Sequence, residues 1–359
     1  MAYDAREEKM NDFYKEHGVD SGHEEKAMKK LLHWINPTFA FRKDIGKNLL
    51  PIGFFANIVD LGNGKGLALS MDGVGTKILI AEKLGKYDTL GIDCIAMNVN
   101  DLLCVGAEPL SFMDYIAVSK IQEHQIEELA KGFYEGARQA EVNIPGGELA
   151  QVKELLHPGE TSIDLVGTAV GIIDNDKIIT GKHISPGDII IGLKSSGIHS
   201  NGLTLARKLL LGSDNDERAI LEELLIPTRI YVKEVMTLLK NNINIKGMAH
   251  ITGEGFLNIL RLQSNARYII QKLPQTPSIF DKIQKAGNIA DTEMYKDFNM
   301  GIGFVMIIDQ HEKDRALSLM STIDADPVEL GYIEASPYPR IDILPKNITS
   351  QGDKFECLL

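Results

Sequence analysis

The chain has 359 residues, and at about 150 residues per domain it has room for two domains, each with its own core. Apolar residues make up 44% and charged residues 25%, which excludes a disordered chain, a coiled coil and a small disulfide-stapled fold. Lys plus Arg number 38 against 50 Asp plus Glu, a net charge of -12, so bulk binding to nucleic acid or to a membrane surface is excluded. An anionic substrate must then be held locally, by backbone amides, a few placed cations or a metal ion.

In chain order, residues 1–45 are polar and helix-like, are punctuated by Pro37 and Gly46, and read as an N-terminal arm. Neither a secretory signal nor a membrane span is expected, because no apolar stretch is long enough. Cys94, Cys104 and Cys357 have no CxxC spacing, which suits a reduced compartment and points to the cytoplasm. Gly62-Asn63-Gly64-Lys65-Gly66 predicts a turn between strands over Phe54–Val59 and Leu67–Met71. A helix is expected over Asp88–Leu103 and a strand over Glu108–Val118. Between Gln122 and Ala140, Ile126, Leu129, Ala130, Phe133 and Ala137 fall on one helical stripe, which reads as core packing.

Ile163–Ile173 reads as a second strand, and the polar run Asp174-Asn175-Asp176-Lys177 after it is the best boundary in the chain. The division is therefore a domain over 46–175 and another over 176–359. Beyond it come a buried strand over Asp188–Leu193 and a helix over Asn201–Leu211 closed by Gly212, and helices and strands then alternate to Ile343. Both halves are α/β or α+β.

The familiar nucleotide fingerprints are missing, since no GxxxxGK[ST] occurs and Gly62-x-Gly64-x-Gly66 lacks the GxGxxG spacing. Asp72-Gly73-Val74-Gly75-Thr76-Lys77 follows an apolar strand instead. Two glycines let backbone amides approach phosphate, Lys77 offers a point charge, and Asp72 is suited to a magnesium ion bridging phosphate oxygens. A glycine hairpin of no chemical role is the other reading of those residues. Asn98 and Asp101 are three apart, which puts both on one helix face with oxygens suited to a hard cation. The alternative is a solvated face or local bonding at a helix end.

Asp72-Gly-Val-Gly-Thr-Lys77, then Asp101 followed after four residues by Gly106-Ala107-x-Pro109, resembles the signature of the aminoimidazole ribonucleotide synthetase (phosphoribosylformylglycinamidine cyclo-ligase) family. Gly146-Gly147-Glu148, Ser195-Ser196-Gly197-Ile198-His199-Ser200-Asn201-Gly202, His250-Ile251-Thr252-Gly253 and Phe298-Asn299-Met300-Gly301-Ile302-Gly303 follow in that family's order. The resemblance implies a two-domain α/β chain, an ATP site in the N-terminal domain and a homodimer formed through N-terminal strands. It implies ring closure of formylglycinamidine ribonucleotide in purine biosynthesis, with ATP activating a carbonyl oxygen, an internal nitrogen attacking that carbon and phosphate leaving.

On that resemblance Asp72, Lys77 and His199 are the expected catalytic residues. Gly73, Gly75, Thr76, Asn98, Asn100 and Asp101 join Asp72 and Lys77 at ATP. Asp72, Asp101 and, more weakly, Glu148 are assigned to Mg2+. Asn98, Asn100 and Asp114 are candidates to complete that shell, with a buried structural acceptor as the alternative for Asp114. Ser196, Gly197, His199, Ser200, Asn201, His250, Thr252 and Gly253 are assigned to the ribonucleotide, although a His beside a helix start or a Thr-Gly at a strand end also serves simply to cap or turn. Phe298-Asn299-Met300-Gly301 is expected to shape the pocket wall.

The chain departs from the family wording at Leu149, Gln151 and Glu254, which bears on substrate choice more than on ATP. Two alternatives stand beside the cyclo-ligase. One is another ATP-dependent enzyme of the superfamily, a kinase or an amidotransferring synthetase. The other is a nucleotide-binding paralogue without turnover.

Overall fold

The computed structural model describes residues 21–156, 162–212 and 216–358. Within the arm, Ser21–Ile35 forms helix α1 and Asn36–Phe41 a 3-10 turn; residues 1–20 lie outside the described residues. Among the described residues no helix is long and apolar enough to cross a membrane.

Asn63 and Gly64, both at positive φ, turn strand β1 (Asn57–Gly62) into β2 (Lys65–Gly73), the hairpin that the glycine cluster predicts. The first strand starts at Asn57 and not at Phe54, which makes only an isolated bridge with Ile52. A 3-10 turn over Gly75–Lys77 then leads into α2 (Ile78–Leu84), α3 (Leu90–Cys104), β3 (Glu108–Val118), α4 (Glu123–Ala140), β4 (Asn143–Gln151) and β5 (Ile163–Asp174). Their sheet has the order β1-β2-β5-β3-β4.

Alternation in β5 buries Ile163, Leu165, Gly167, Ala169 and Ile173 beneath the helices. Helices α3 and α4 pack in contact along Gly91 and Gly132: a Cβ on Gly91 would stand 2.2 Å from the Phe133 amide nitrogen, and one on Gly132 2.6 Å from the Asp88 carbonyl. The predicted stripe of α4 divides. Leu129 and Phe133 are buried in the core with Ile126 and Ala137 packed against it, and Ile126, Ala130, Phe133 and Ala137 also line a groove of about 710 Å³ between the helix and the β3–β4 edge.

Among the described residues no helix lies over the other face of this sheet. Leu67 and Leu69 of β2, Val166, Val170 and Ile172 of β5 are half-buried there, and Met71, Met113 and Tyr115 are exposed.

The second sheet has eight strands in the order β13-β12-β11-β8-β10-β6-β9-β7. They are β6 (Ile189–Lys194), β7 (Ile245–His250), β8 (Ala266–Ile270), β9 (Ile302–Ile308), β10 (Pro327–Ala335), β11 (Arg340–Ile343), β12 (Ile348–Gln351) and β13 (Lys354–Cys357). Helices α5 (Leu203–Leu210), α6 (Glu217–Leu224), α7 (Val232–Lys240), α8 (Ser278–Gly287), α9 (Asp291–Asp297) and α10 (Lys313–Ser321) accompany them. The expected helix over Asn201–Leu211 is shortened to α5 because Gly202, at φ 72, serves as its cap. The edge strand β7 lies against α3, and at that seam the two halves meet.

Candidate active site

Strand pairing sets Asp72, Gly167, Asp114 and Gly147 in one row across β2, β5, β3 and β4. Directly paired residues share a face, and a Cβ on Gly167 would meet Phe112 at 2.2 Å and Cys94 at 3.0 Å, so the row faces α3. Gly147 makes room for Asp114, whose Oδ2 would lie 2.5 Å from an added Cβ. Burial raises the pKa of both carboxyls. At Asp72 the negative charge of Asp101 raises it further, and the Gly73 N–H, donating at 2.7 Å, opposes the rise.

Asn98 of α3 reaches this row. Its Nδ2 donates to the carbonyls of Asp72 (3.2 Å) and Cys94 (2.8 Å), while its Oδ1 is buried without a protein partner. The mutually repelling carboxylates of Asp72 and Asp101 and the Asn98 amide oxygen, which has no donor, are hard oxygen groups of the kind that suit magnesium when nucleotide phosphates and waters complete its shell.

Glu148 does not join them. It pairs with Tyr115, one residue beyond the Gly147–Asp114 pair, so strand alternation places it on the opposite face of the sheet. Among the described residues no three His, Cys, Asp or Glu side chains stand together as a metal centre.

The turn after β2 divides its residues. Gly75 and Thr76 are exposed, and an added Cβ on Gly75 would have nothing within 4 Å. Lys77 turns inward and is 0% exposed; its ammonium lies 2.8 Å from Asp93 Oδ1 and donates to the Ile226 carbonyl at 2.6 Å. Burial lowers the Lys77 pKa, and Asp93 offsets part of that. The expected phosphate ligand is thus committed to a buried ion pair.

His250 is also enclosed. It is 0% exposed, with Nδ1 3.0 Å from Asp101 Oδ1 and Nε2 3.4 Å from Asn100 Nδ2. Since the amide nitrogen can only donate, this geometry puts the ring proton on Nδ1, facing Asp101. Asn100 is itself held across the seam, donating to the Arg229 carbonyl at 2.9 Å and accepting from the Tyr231 N–H at 3.0 Å. The residues expected at ATP and at the ribonucleotide here hold each other.

The Ser195–Gly202 segment crosses the seam next to Lys77. His199 is buried at φ 63, a left-handed conformation costly for a residue with a Cβ. The Ser196 N–H donates to its Nε2 at 3.3 Å, and its Nδ1 has no partner. Burial pushes the imidazole pKa well down, and the positive charge of Lys77 acts in the same direction, which leaves a neutral ring with an unused Nδ1 proton. Ser196 Oγ donates to the Pro227 carbonyl at 2.6 Å and Ser200 Oγ to Asp93 Oδ1 at 3.1 Å. Asn201 Nδ2 is buried without a partner, and its Oδ1 would lie 3.2 Å from a Cβ on Gly253. Thr252 is half-buried and Gly253 exposed beyond β7. Asn299 fastens the start of the segment, accepting from Ser195 Oγ at 2.9 Å and donating to the Gly197 carbonyl at 2.9 Å.

Periodicity gives Asp93 no role, and Thr228 lies outside the motifs. The available signal was a lone acid in the apolar run Leu90-Gly-Ile-Asp93-Cys-Ile-Ala-Met97, where a charge has to be paired to be buried.

The family model described as AIR synthase related protein, N-terminal domain, matches residues 55–173, and its C-terminal counterpart matches residues 185–343. The chain is 46% identical over 335 residues to a phosphoribosylformylglycinamidine cyclo-ligase of Thermococcus kodakarensis, covering 92% of this chain and 97% of that one. It is 44% identical over 355 residues to one of Methanocaldococcus jannaschii, covering 96% and 99%. Among solved structures, a ThiL protein complexed with AMPPCP and TMP superposes with a TM-score of 0.60 at 17% identity, over 87% of this chain and 92% of that one, a likeness of fold alone. With both domain models matched in order and close relatives aligned along nearly their whole length, the chain belongs to the AIR synthase related family.

Proposed function

We propose that this enzyme closes the imidazole ring of a purine precursor, converting formylglycinamidine ribonucleotide to aminoimidazole ribonucleotide with release of ADP and phosphate. The single observation that carries this reading is the near full-length match at 44–46% identity to relatives named for that reaction. The seam between the halves supports it, because the exposed Gly75-Thr76 turn meets the start of α5, directly after the His199 segment, Thr76 Oγ1 lying 3.2 Å from Thr204 Oγ1.

ATP lies along the Gly73–Thr76 turn with its phosphates held by backbone amides. Asp72, Asp101 and Asn98 Oδ1 are the groups that would hold Mg2+, which when bound would neutralise charge on the phosphates. His250 keeps the Asp101 carboxylate oriented, and Lys77 adds positive potential from beneath the turn. The ribonucleotide lies against Ser196–Asn201 and Thr252-Gly253, where His199 Nδ1 and Asn201 Nδ2 supply donors that no protein group uses.

The carbonyl oxygen of the substrate takes the γ-phosphoryl group, the amidine nitrogen forms the C–N bond, and that carbon releases phosphate as the nitrogen loses its proton. Both reacting atoms belong to one molecule, so the protein's task is orientation and charge compensation. The bare apolar sheet face supports a homodimer through the N-terminal strands. Cys94 and Cys104 are buried free thiols, in keeping with a reduced cytoplasm.

A coupled assay for ADP tests the reaction. ADP release should require formylglycinamidine ribonucleotide and yield one imidazole product per ADP. Release at an equal rate without that substrate would overturn the assignment.

A further inference from the structure

One carboxylate oxygen at the seam carries more hydrogen bonds than its place in an apolar helix explains. Asp93 is fully buried in the first turn of α3. Its Oδ1 accepts from Lys77 Nζ at 2.8 Å, the Thr228 N–H at 2.7 Å, Thr228 Oγ1 at 2.7 Å and Ser200 Oγ at 3.1 Å. Thr228 Oγ1 and Ser200 Oγ also lie 2.9 Å apart. Lys77 ends the nucleotide turn of the N-terminal half, whereas Ser200 and Thr228 belong to the C-terminal half.

The segment so held has reason to spring away. His199 at φ 63 is strained, whereas Gly202, at φ 72 under Phe298, fits there only because it has no side chain. Asn299 ties down its beginning from within the same half, and Asp93 ties down its end from the other half. A hydrogen bond to a buried charge is stronger than one between neutral groups, which suits it to hold an unfavourable backbone conformation.

We infer that Asp93 is a positioning residue that pins the His199 segment to the nucleotide turn through Thr228 and Ser200, so that, among the bonds across the seam, this oxygen sets the shape of the ribonucleotide site. Thr228 is 1% exposed and its hydroxyl is already used, so it acts through Asp93 and Ser200 and not by touching substrate.

The inference rests on the ring-closure reading for its kinetic test but not for its structural one. In the full-length enzyme, Thr228→Val removes the hydroxyl and keeps the shape and the amide. Amides of Ser195–Gly202 should then exchange hydrogen at least tenfold faster, with protection of β9 unchanged. The ribonucleotide KM should rise about tenfold, the ATP KM should stay within twofold, and Thr228→Ser should restore both properties. Thr228→Ala serves as the second variant if the valine does not fold.

Exchange of Ser195–Gly202 at the wild-type rate in a folded variant would overturn the inference. So would faster exchange spread evenly over the chain with an unchanged ribonucleotide KM, the mark of a merely structural part. If the wild-type enzyme fails to turn over the ribonucleotide, the ring-closure reading falls, and the exchange experiment still decides the role of Asp93.

Discussion

Asp101 and His199 show how differently two residues of the same seam are prepared. Asp101 is partly exposed and oriented by an enclosed imidazole, so its carboxylate is aimed without being used up. In Asp101→Asn the fold should survive, because the amide oxygen can still accept from His250, while magnesium-dependent turnover falls at least a hundredfold. Thermal melting together with Mn2+ binding followed by electron paramagnetic resonance checks both halves of that expectation.

His199 is buried neutral, and its folded pKa lies well below the ordinary imidazole value. Below about pH 6.5 the unfolded chain takes up a proton that the folded chain refuses, so stability is lost as pH falls, at up to about 1.4 kcal/mol per pH unit. Asp72 and Asp114, whose carboxyl pKa values are raised, act in the opposite sense at lower pH. Subtracting the urea-derived stability of His199→Asn, a residue that tolerates the left-handed backbone, isolates the imidazole. Its contribution should appear between about pH 6.5 and 5 and vanish above pH 7.

At the scale of the element, α3 carries most of the seam. Its periodicity is legible in sequence, as is the pairing of Asn98 with Asp101 on one side. What the periodicity hides is that its polar residues serve different partners: Asp93 faces Lys77 and Thr228, Asn98 the β2 carbonyl, Asn100 the C-terminal half, and Asp101 His250. The short turn before α2 has the same double character, offering Gly75 and Thr76 to solvent and Lys77 to the interior. Lys77→Met leaves Asp93 without its counter-charge, and removing one partner of a buried pair costs about 3–5 kcal/mol. Chemical denaturation should show a loss of that size, against less than about 0.5 kcal/mol for methionine at the exposed Lys83.

For the molecule as a whole, the unequal coverage of the two sheets matters most. The eight-stranded sheet buries every residue of β9, whereas the five-stranded sheet has Val170, Met71, Met113 and Tyr115 on a face that no described helix covers. If that face forms the proposed homodimer, a charge at its centre should prevent the pairing with a second copy. Val170→Glu is then expected to halve the mass measured by light scattering while leaving the circular dichroism intact; an unchanged mass would overturn the proposed dimer through this face.

The hairpin at Asn63-Gly64, the helices over Leu90–Cys104 and Glu123–Ala140 and the strands over Glu108–Val118 and Ile163–Asp174 were readable from the chain alone, because periodicity and turn residues are local properties, while Ile78–Leu84 and Asn143–Gln151 carried no such signal. The enclosure of Lys77 and His250, the displacement of Glu148 to the far face, and the roles of Asp93 and Thr228 were decided only by the tertiary structure. Whether a side chain meets solvent, a ligand or a partner depends on which distant segment packs over it, and residues more than a hundred positions apart, such as Asp93 and Thr228, share a hydrogen bond only after both halves have folded and docked.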